Sequence, residues 1–128
     1  MATLEITKDT LQATVADNDI VLIDFWADWC MPCRNFAPIF EKASEQHQDI
    51  VFGKIDTEAQ RELAAAFEIT SIPTLMAFRE GIIVFAQPGA LPKNDLQELI
   101  EAVKALDMEE VRSDIAAQMA QQNEAEAK

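Results

Sequence analysis

Two cysteines, two residues apart, stand just beyond a nearly continuous apolar run. Val21-Leu22-Ile23-Asp24-Phe25-Trp26 leads through Ala27-Asp28-Trp29 into Cys30-Met31-Pro32-Cys33. An apolar run of this length reads as a strand buried on both faces. Pro32 suits the first turn of a helix, where its missing N–H is not needed. A Cys-x-x-Cys pair between such a strand and such a helix has the makings of a thiol–disulfide redox site. The helix start offers unpaired N–H groups and a positive dipole end, which favour the thiolate. The thiolate is the species that attacks a disulfide. Two other readings stay open at this point, half of a structural metal site and a pair of inert thiols. A zinc site takes four ligands, and the only histidine, His47, is remote in sequence.

The rest of the chain fits one small domain. It has 128 residues, 49% of them apolar, and only three Gly and five Pro. That is enough to bury a core and too apolar for a disordered chain. The formal net charge of −13 argues against nucleic acid or an anionic membrane as the main partner. No apolar stretch approaches bilayer length. The first residues lack a basic segment followed by an apolar one, so a cytoplasmic location is expected. There a Cys-x-x-Cys pair is catalytic or metal-binding more often than structural.

Periodicity gives the order of elements. Leu4 and Ile6 suggest a short strand. Thr7 or Asp9 then caps a helix to about Asp17, and Ile20 to Trp26 is the central strand. A long helix runs from about Pro32 to Gln46, with Phe36, Ile39, Phe40 and Ala43 at helical spacing. Ile50 to Ile55 is a strand and Ala59 to Phe67 a helix. Thr74 to Arg79 and Ile82 to Gln87 form an antiparallel pair around Glu80-Gly81. Leu96, Leu99, Ile100, Val103 and Leu106 mark an amphipathic helix with Pro92 at its start. This order predicts an α/β fold, a mixed sheet with helices on both faces. Residues 107 to 128 differ in composition, with six acids and two bases. Val111, Ile115 and Met119 stand four apart there, so the expectation is an acidic extension, weakly helical or disordered, with Ala120 to Lys128 frayed.

Trp26-Ala27-Asp28-Trp29-Cys30-Met31-Pro32-Cys33-Arg34, with Asp24 upstream and Ile72-Pro73-Thr74 downstream, resembles the thioredoxin family. The resemblance covers residues 1 to 106, leaving 107 to 128 outside it. It implies the thioredoxin fold, with a five-stranded mixed sheet, and a redox-active Cys30–Cys33 disulfide with no bound cofactor.

The pair's two members take different roles. Cys30, on the exposed N-terminal side, is the expected nucleophile, and Cys33, one turn further into the helix, the resolving thiol. Asp24 lies within the apolar strand, where burial raises a carboxylate's pKa. In thioredoxins the matching residue sits behind the second cysteine and assists its deprotonation. Lys54 matches a lysine facing that Asp, although a solvent-facing lysine reads the same. Pro73 matches the family's cis-proline, with a trans proline at a strand start as the bland reading. Trp29, Ile72, Gly89 and Ala90 match its apolar substrate groove, and Trp26 is expected to pack beneath the site. His47 reads as a surface residue.

The resemblance further implies reduction of disulfides in protein substrates by a monomer. Electrons would come from NADPH through a separate flavin enzyme, thioredoxin reductase. Met31 stands where thioredoxins typically carry glycine, Pro88 and Thr57 where they carry other apolar residues. The dipeptide between the cysteines tunes the potential, so one alternative is a more oxidising thioredoxin-like protein. Another is a binding module in which thiol chemistry is secondary.

Overall fold

A computed structural model describes residues 2–127. The elements are β1 (Thr3–Glu5), α1 (Leu11–Asp17), β2 (Ile20–Trp26), α2 (Met31–Gln46), β3 (Val51–Asp56), α3 (Arg61–Ala66), β4 (Thr74–Arg79), β5 (Ile82–Pro88), α4 (Lys93–Ala105) and α5 (Met108–Ala127). The strands form one sheet in the order β1-β3-β2-β4-β5. β3 runs parallel to both β1 and β2, β4 is antiparallel to β2, and β5 is antiparallel to β4. This is the mixed five-stranded sheet that the sequence predicts.

β2 is central because both of its faces are apolar. Successive strand residues point to opposite faces. Ile20 and Leu22 join Phe36, Phe40, Phe52, Leu75, Leu96 and Ile100 in one core layer, under α2 and α4. Val21, Ile23 and Phe25 join Ile6, Ile55, Met76 and Phe78 in the other, with Leu11, Val15, Leu63 and Phe67 packed against it from the side of α1 and α3. Each of these large side chains contributes about 1.5–3 kcal/mol by leaving water. At Gly53, in the middle of β3, an added Cβ would run into the side chain of Ile6. A larger residue there would force the buried Ile6 side chain to shift.

Helix boundaries depart from expectation at the first and third helices. The first begins at Leu11, because Thr7 to Thr10 form a turn in which the Thr7 N–H donates to Thr10 Oγ1. The third begins only at Arg61, since the Asp56 carboxylate accepts the N–H groups of Glu58 and Ala59 in a turn that follows β3. Arg79, at the end of β4, donates from one guanidinium nitrogen to the carbonyls of Val103, Lys104 and Leu106. That closes the C-terminus of α4, where carbonyls lack helical partners and a cation is favoured.

The extension is more ordered than its composition suggests. α5 is helical through Ala127, so Ala120 to Ala127 is not the frayed segment expected, and Lys128 lies outside the described residues. Asp107 accepts the N–H groups of Glu109 and Glu110, which satisfies the first turn. Met108 is buried, Val111 and Ile115 are half-buried, and Arg112 pairs with Glu80 at 2.7 Å. Beyond Ile115 the described side chains are exposed, Met119 among them. The stripe is therefore used by its own domain at one end and is bare at the other.

This division predicts two different outcomes of truncation. Ending the chain after Leu106 removes the buried Met108 and should lower Tm by about 5 °C. Ending it after Ala116 keeps Met108, Arg112 and Ile115 and should leave Tm unchanged. Thermal unfolding of the two truncated chains beside the full one is the measurement, and equal midpoints in all three would show that α5 does not support the domain.

Candidate active site

The loop Ala27–Trp29 carries the chain from the end of β2 onto the first turn of α2. Cys30 is the N-cap of that helix, with an extended backbone, and Met31 and Pro32 occupy its first positions. The Cys33 N–H donates to Cys30 Sγ at 3.2 Å, so one of the helix's orphan donors points at that sulfur. Cys30 and Cys33 are joined by a disulfide, with Cα atoms 5.2 Å apart. The site is thus seen in its oxidised state. A donor aimed at Cys30 Sγ stabilises negative charge on that atom once the bond is reduced.

Burial does not separate the two sulfurs in the way expected. Cys30 is 4% exposed and Cys33 3%. The chain at Ile72 lies against the first cysteine, whose Sγ is 3.7 Å from the Ile72 carbonyl oxygen. The peptide bond between Ile72 and Pro73 is cis. Ile72 itself lies just outside the ladder of β4, which begins at Thr74. The Gly89 N–H donates to the Pro73 carbonyl, and Gly89 has φ +106°, a conformation that favours glycine. Ala90 follows it, exposed. Pro73, Ile72, Gly89 and Ala90 are therefore brought to the same end of the sheet as the cysteines.

Trp29 projects from the surface, 68% exposed, with its indole N–H donating to Glu58 Oε1 at 3.0 Å. Glu58 in turn pairs with Arg61. Trp29, Thr57, Ile69, Thr70, Ser71 and Ile72 line a cavity of about 290 Å³ at this end. The Thr57 hydroxyl is turned inward, donating to the Trp26 carbonyl. Arg34 donates to the Asp28 carbonyl and so braces the loop ahead of Cys30. The roles of Glu58 and Arg34 escaped the sequence because each depends on a contact made only after folding.

Asp24 is fully buried on the central strand. It shares strand parity with Leu22 and so faces the α2 side of the sheet, where Cys33 begins the helix. Neither carboxyl oxygen has a hydrogen-bond partner. Burial pushes its pKa up from 3.8 to about 7, and the Lys54 ammonium pulls the other way. Lys54 is the register partner of Asp24 across β2 and β3. Its ammonium lies 4.8 Å from the ring centroid of Trp26, a cation–π contact. Lys54 therefore faces Asp24 electrostatically without bonding to it, and Trp26 packs in the same layer.

His47 departs from expectation. It is nine-tenths buried at the end of α2. Its Nδ1 faces the Lys104 ammonium at 3.5 Å and its Nε2 faces Gln97 Oε1 at 2.9 Å. An ammonium can only donate, so Nδ1 accepts and Nε2 carries the proton to Gln97. The histidine ties α2 to α4 and takes no part at the cysteine pair. Among the described residues no cluster of three His, Cys, Asp or Glu side chains could hold a metal ion. Among the same residues no helix is long and apolar enough to cross a membrane.

Fold and site together define a dithiol–disulfide exchange centre at the head of a helix. Comparison with known proteins agrees. The family model "Thioredoxin" matches residues 2–102. A Streptomyces coelicolor protein provisionally named thioredoxin 2 is 58% identical over 120 residues, covering 94% of this chain and 90% of that protein. With 106 residues before Asp107, a match of that length reaches into the extension. The thioredoxin of Bacillus subtilis is 37% identical over 101 residues, 78% of this chain and 96% of its own. Among solved structures, a point-mutant thioredoxin from Halobacterium salinarum superposes with a TM-score of 0.76 at 36% identity, covering 82% of this chain and 93% of that one.

The chain belongs to the thioredoxin family. It is a thiol–disulfide oxidoreductase of the thioredoxin fold, and its redox group is the cysteine pair itself.

The buried carboxylate makes stability depend on pH. Asp24 has a folded pKa above its unfolded value. Between pH 3.8 and about 7 the native state therefore holds a proton that the unfolded state has released, and stability falls as pH rises. Each pH unit amounts to about 1.4 kcal/mol, so the full loss above pH 7 is about 4 kcal/mol. Asp24→Asn should thus raise Tm by roughly 10–20 °C at pH 8 and change it little at pH 4. Thermal melts at the two pH values check this, and an equal gain at both would show that the carboxylate's charge is not the cause.

Proposed function

We propose that the chain reduces disulfides of protein substrates, with Cys30 as nucleophile and Cys33 as resolving thiol. The observation that carries the reading is the Cys33 N–H aimed at Cys30 Sγ in the first turn of α2. In the reduced enzyme the Cys30 thiolate attacks one sulfur of a substrate disulfide. A mixed disulfide forms and the other substrate sulfur leaves as a thiolate. Cys33 then loses its proton and attacks Cys30 Sγ. The Cys30–Cys33 bond closes, and the second substrate sulfur is released. Two electrons have passed to the substrate, and the enzyme is left in the state seen here.

Asp24 is the acceptor for the Cys33 proton in this reading. A carboxyl with a pKa near 7 is half-ionised at neutral pH and can both take and return a proton. Lys54 moderates that pKa. Trp29, Ile72, Gly89 and Ala90 form the substrate-facing rim, and Pro73 shapes the chain opposite Cys30. With Cys30 nearly enclosed, a substrate disulfide reaches it only on an extended segment laid along this rim.

The oxidised pair is returned to the dithiol by thioredoxin reductase, a flavin enzyme drawing on NADPH. The protein acts as a cytoplasmic monomer, with residues 1 to 106 as the catalytic domain and 107 to 128 as an appendage.

The order of the thiols is tested by two variants in an insulin reduction assay. Cys30→Ser should lose activity entirely and trap nothing. Cys33→Ser should stop after the first step and accumulate mixed disulfides through Cys30, visible by non-reducing electrophoresis and mass spectrometry. Adducts recovered from Cys30→Ser instead would reverse the assignment.

A further inference from the structure

A third sulfur stands at this site. Met31 is the first residue of α2, between the two cysteines, and is 62% exposed. The disulfide sulfurs on either side are almost wholly enclosed. In the oxidised enzyme the sulfur-bearing residue open to solvent at the site is therefore Met31. It lies two residues from exposed Trp29, so the two give the rim an apolar character on a chain of net charge −13. The molecule supplies its own comparisons. Met76 and Met108 are buried, while Met119 is 59% exposed on α5. α5 is anchored at Glu80, beyond the end of the sheet opposite the cysteines.

We propose that Met31 is a peroxide-modification site that controls substrate docking. The inference rests on the reading above that the rim around Cys30 receives the substrate. In the reduced enzyme the Cys30 thiolate is the better nucleophile and intercepts peroxide first. Once the pair is a disulfide, Met31 is the accessible target. Its sulfur lone pair attacks one oxygen of hydrogen peroxide. The O–O bond breaks, an S–O bond forms, and the remaining oxygen departs as water. Sulfur loses two electrons and peroxide gains them.

The product is a sulfoxide, polar and chiral where the thioether was apolar and adaptable. A substrate segment laid over it must cover a strong acceptor. Without a matching donor, that should weaken docking about three- to tenfold. Modification accumulates only while the pair stays oxidised, that is, when peroxide outruns the supply of electrons. A methionine sulfoxide reductase restores the thioether.

The test uses the full chain in its disulfide form, treated with hydrogen peroxide and then catalase. Peptide mass mapping follows the gain of oxygen at each methionine. The pair is then reduced with dithiothreitol and insulin reduction kinetics are recorded. The expected result is oxygen on Met31 and Met119 well ahead of Met76 and Met108, with KM raised about three- to tenfold and kcat changed less. Methionine sulfoxide reductase should return KM to its starting value. Met31→Leu, compared with its own untreated sample, should show no rise.

Oxygen on Met119 while Met31 stays a thioether would overturn the modification site. Full oxidation of Met31 with KM unmoved would overturn its control of docking. An equal rise in Met31→Leu would do the same, by placing the effect elsewhere. An untreated enzyme that failed to reduce insulin would instead sink the reading of the rim, and docking control with it. The peptide map would still decide whether Met31 is modified.

Discussion

The first turn of α2 is held in place by the aromatic ridge that follows it. Phe36 and Phe40 lie one turn apart on the buried side of the helix, their ring centroids 5.7 Å apart. Phe40 meets Phe52 of β3 edge-on at 5.2 Å, a favourable arrangement for aromatic pairs. These rings share one buried core layer with Leu22 and Leu75. With the body of the helix fixed in this way, its N-terminus has one place to be. Cys30, Cys33 and the donor between them inherit that position. The chemistry of the pair thus depends on side chains that never touch a substrate.

The same layer contains its own exception. Ile20 and Leu22, the inward positions of β2 that precede Asp24 on the α2 face, are apolar, and Asp24 is not. An unpaired carboxylate there is costly, and neither of its oxygens is bonded. The Lys54 ammonium is turned toward the face of Trp26, whose own indole nitrogen is buried without a partner. Had Lys54 bonded Asp24 directly, the acid would be held ionised and would exchange no proton near neutrality. The loose arrangement sacrifices stability at high pH and leaves a titratable group behind the helix. Such a trade is what the proposed role of Asp24 as the Cys33 proton acceptor requires.

The parts of this picture that the sequence shows are those set by local pattern. The run from Ile20 to Trp26 could only be a buried strand. Pro32 and the helical spacing of Phe36, Ile39, Phe40 and Ala43 placed the pair at a helix start, and the apolar stripe of Leu96, Ile100 and Val103 required a helix lying on the sheet. The acid in the run announced itself as Asp24. The parts that stayed hidden depend on who meets whom. His47 looks like a surface histidine until Gln97 and Lys104 arrive from α4. Arg79 looks like the end of a strand until three carbonyls of α4 and its exit converge on it. Cys30 looks like the open member of the pair until Ile72, more than forty residues on, lies against it.

The extension shows why composition misleads at a chain end. Residues 107 to 128 are acidic and have little to bury, which favours disorder for an isolated segment. A helix needs a costly nucleus before it gains anything by lengthening. Here the nucleus is supplied from outside. Asp107 caps the first turn, Met108 plugs the domain, and Arg112 reaches Glu80. Propagation then requires only good helix formers, and Ala, Glu, Gln and Met supply most of the remaining positions. The exposed turns after Ile115 are therefore helical because of three residues near the start. Stability in α5 should decay along its length, with amide exchange slowest near Val111 and fastest toward Ala127.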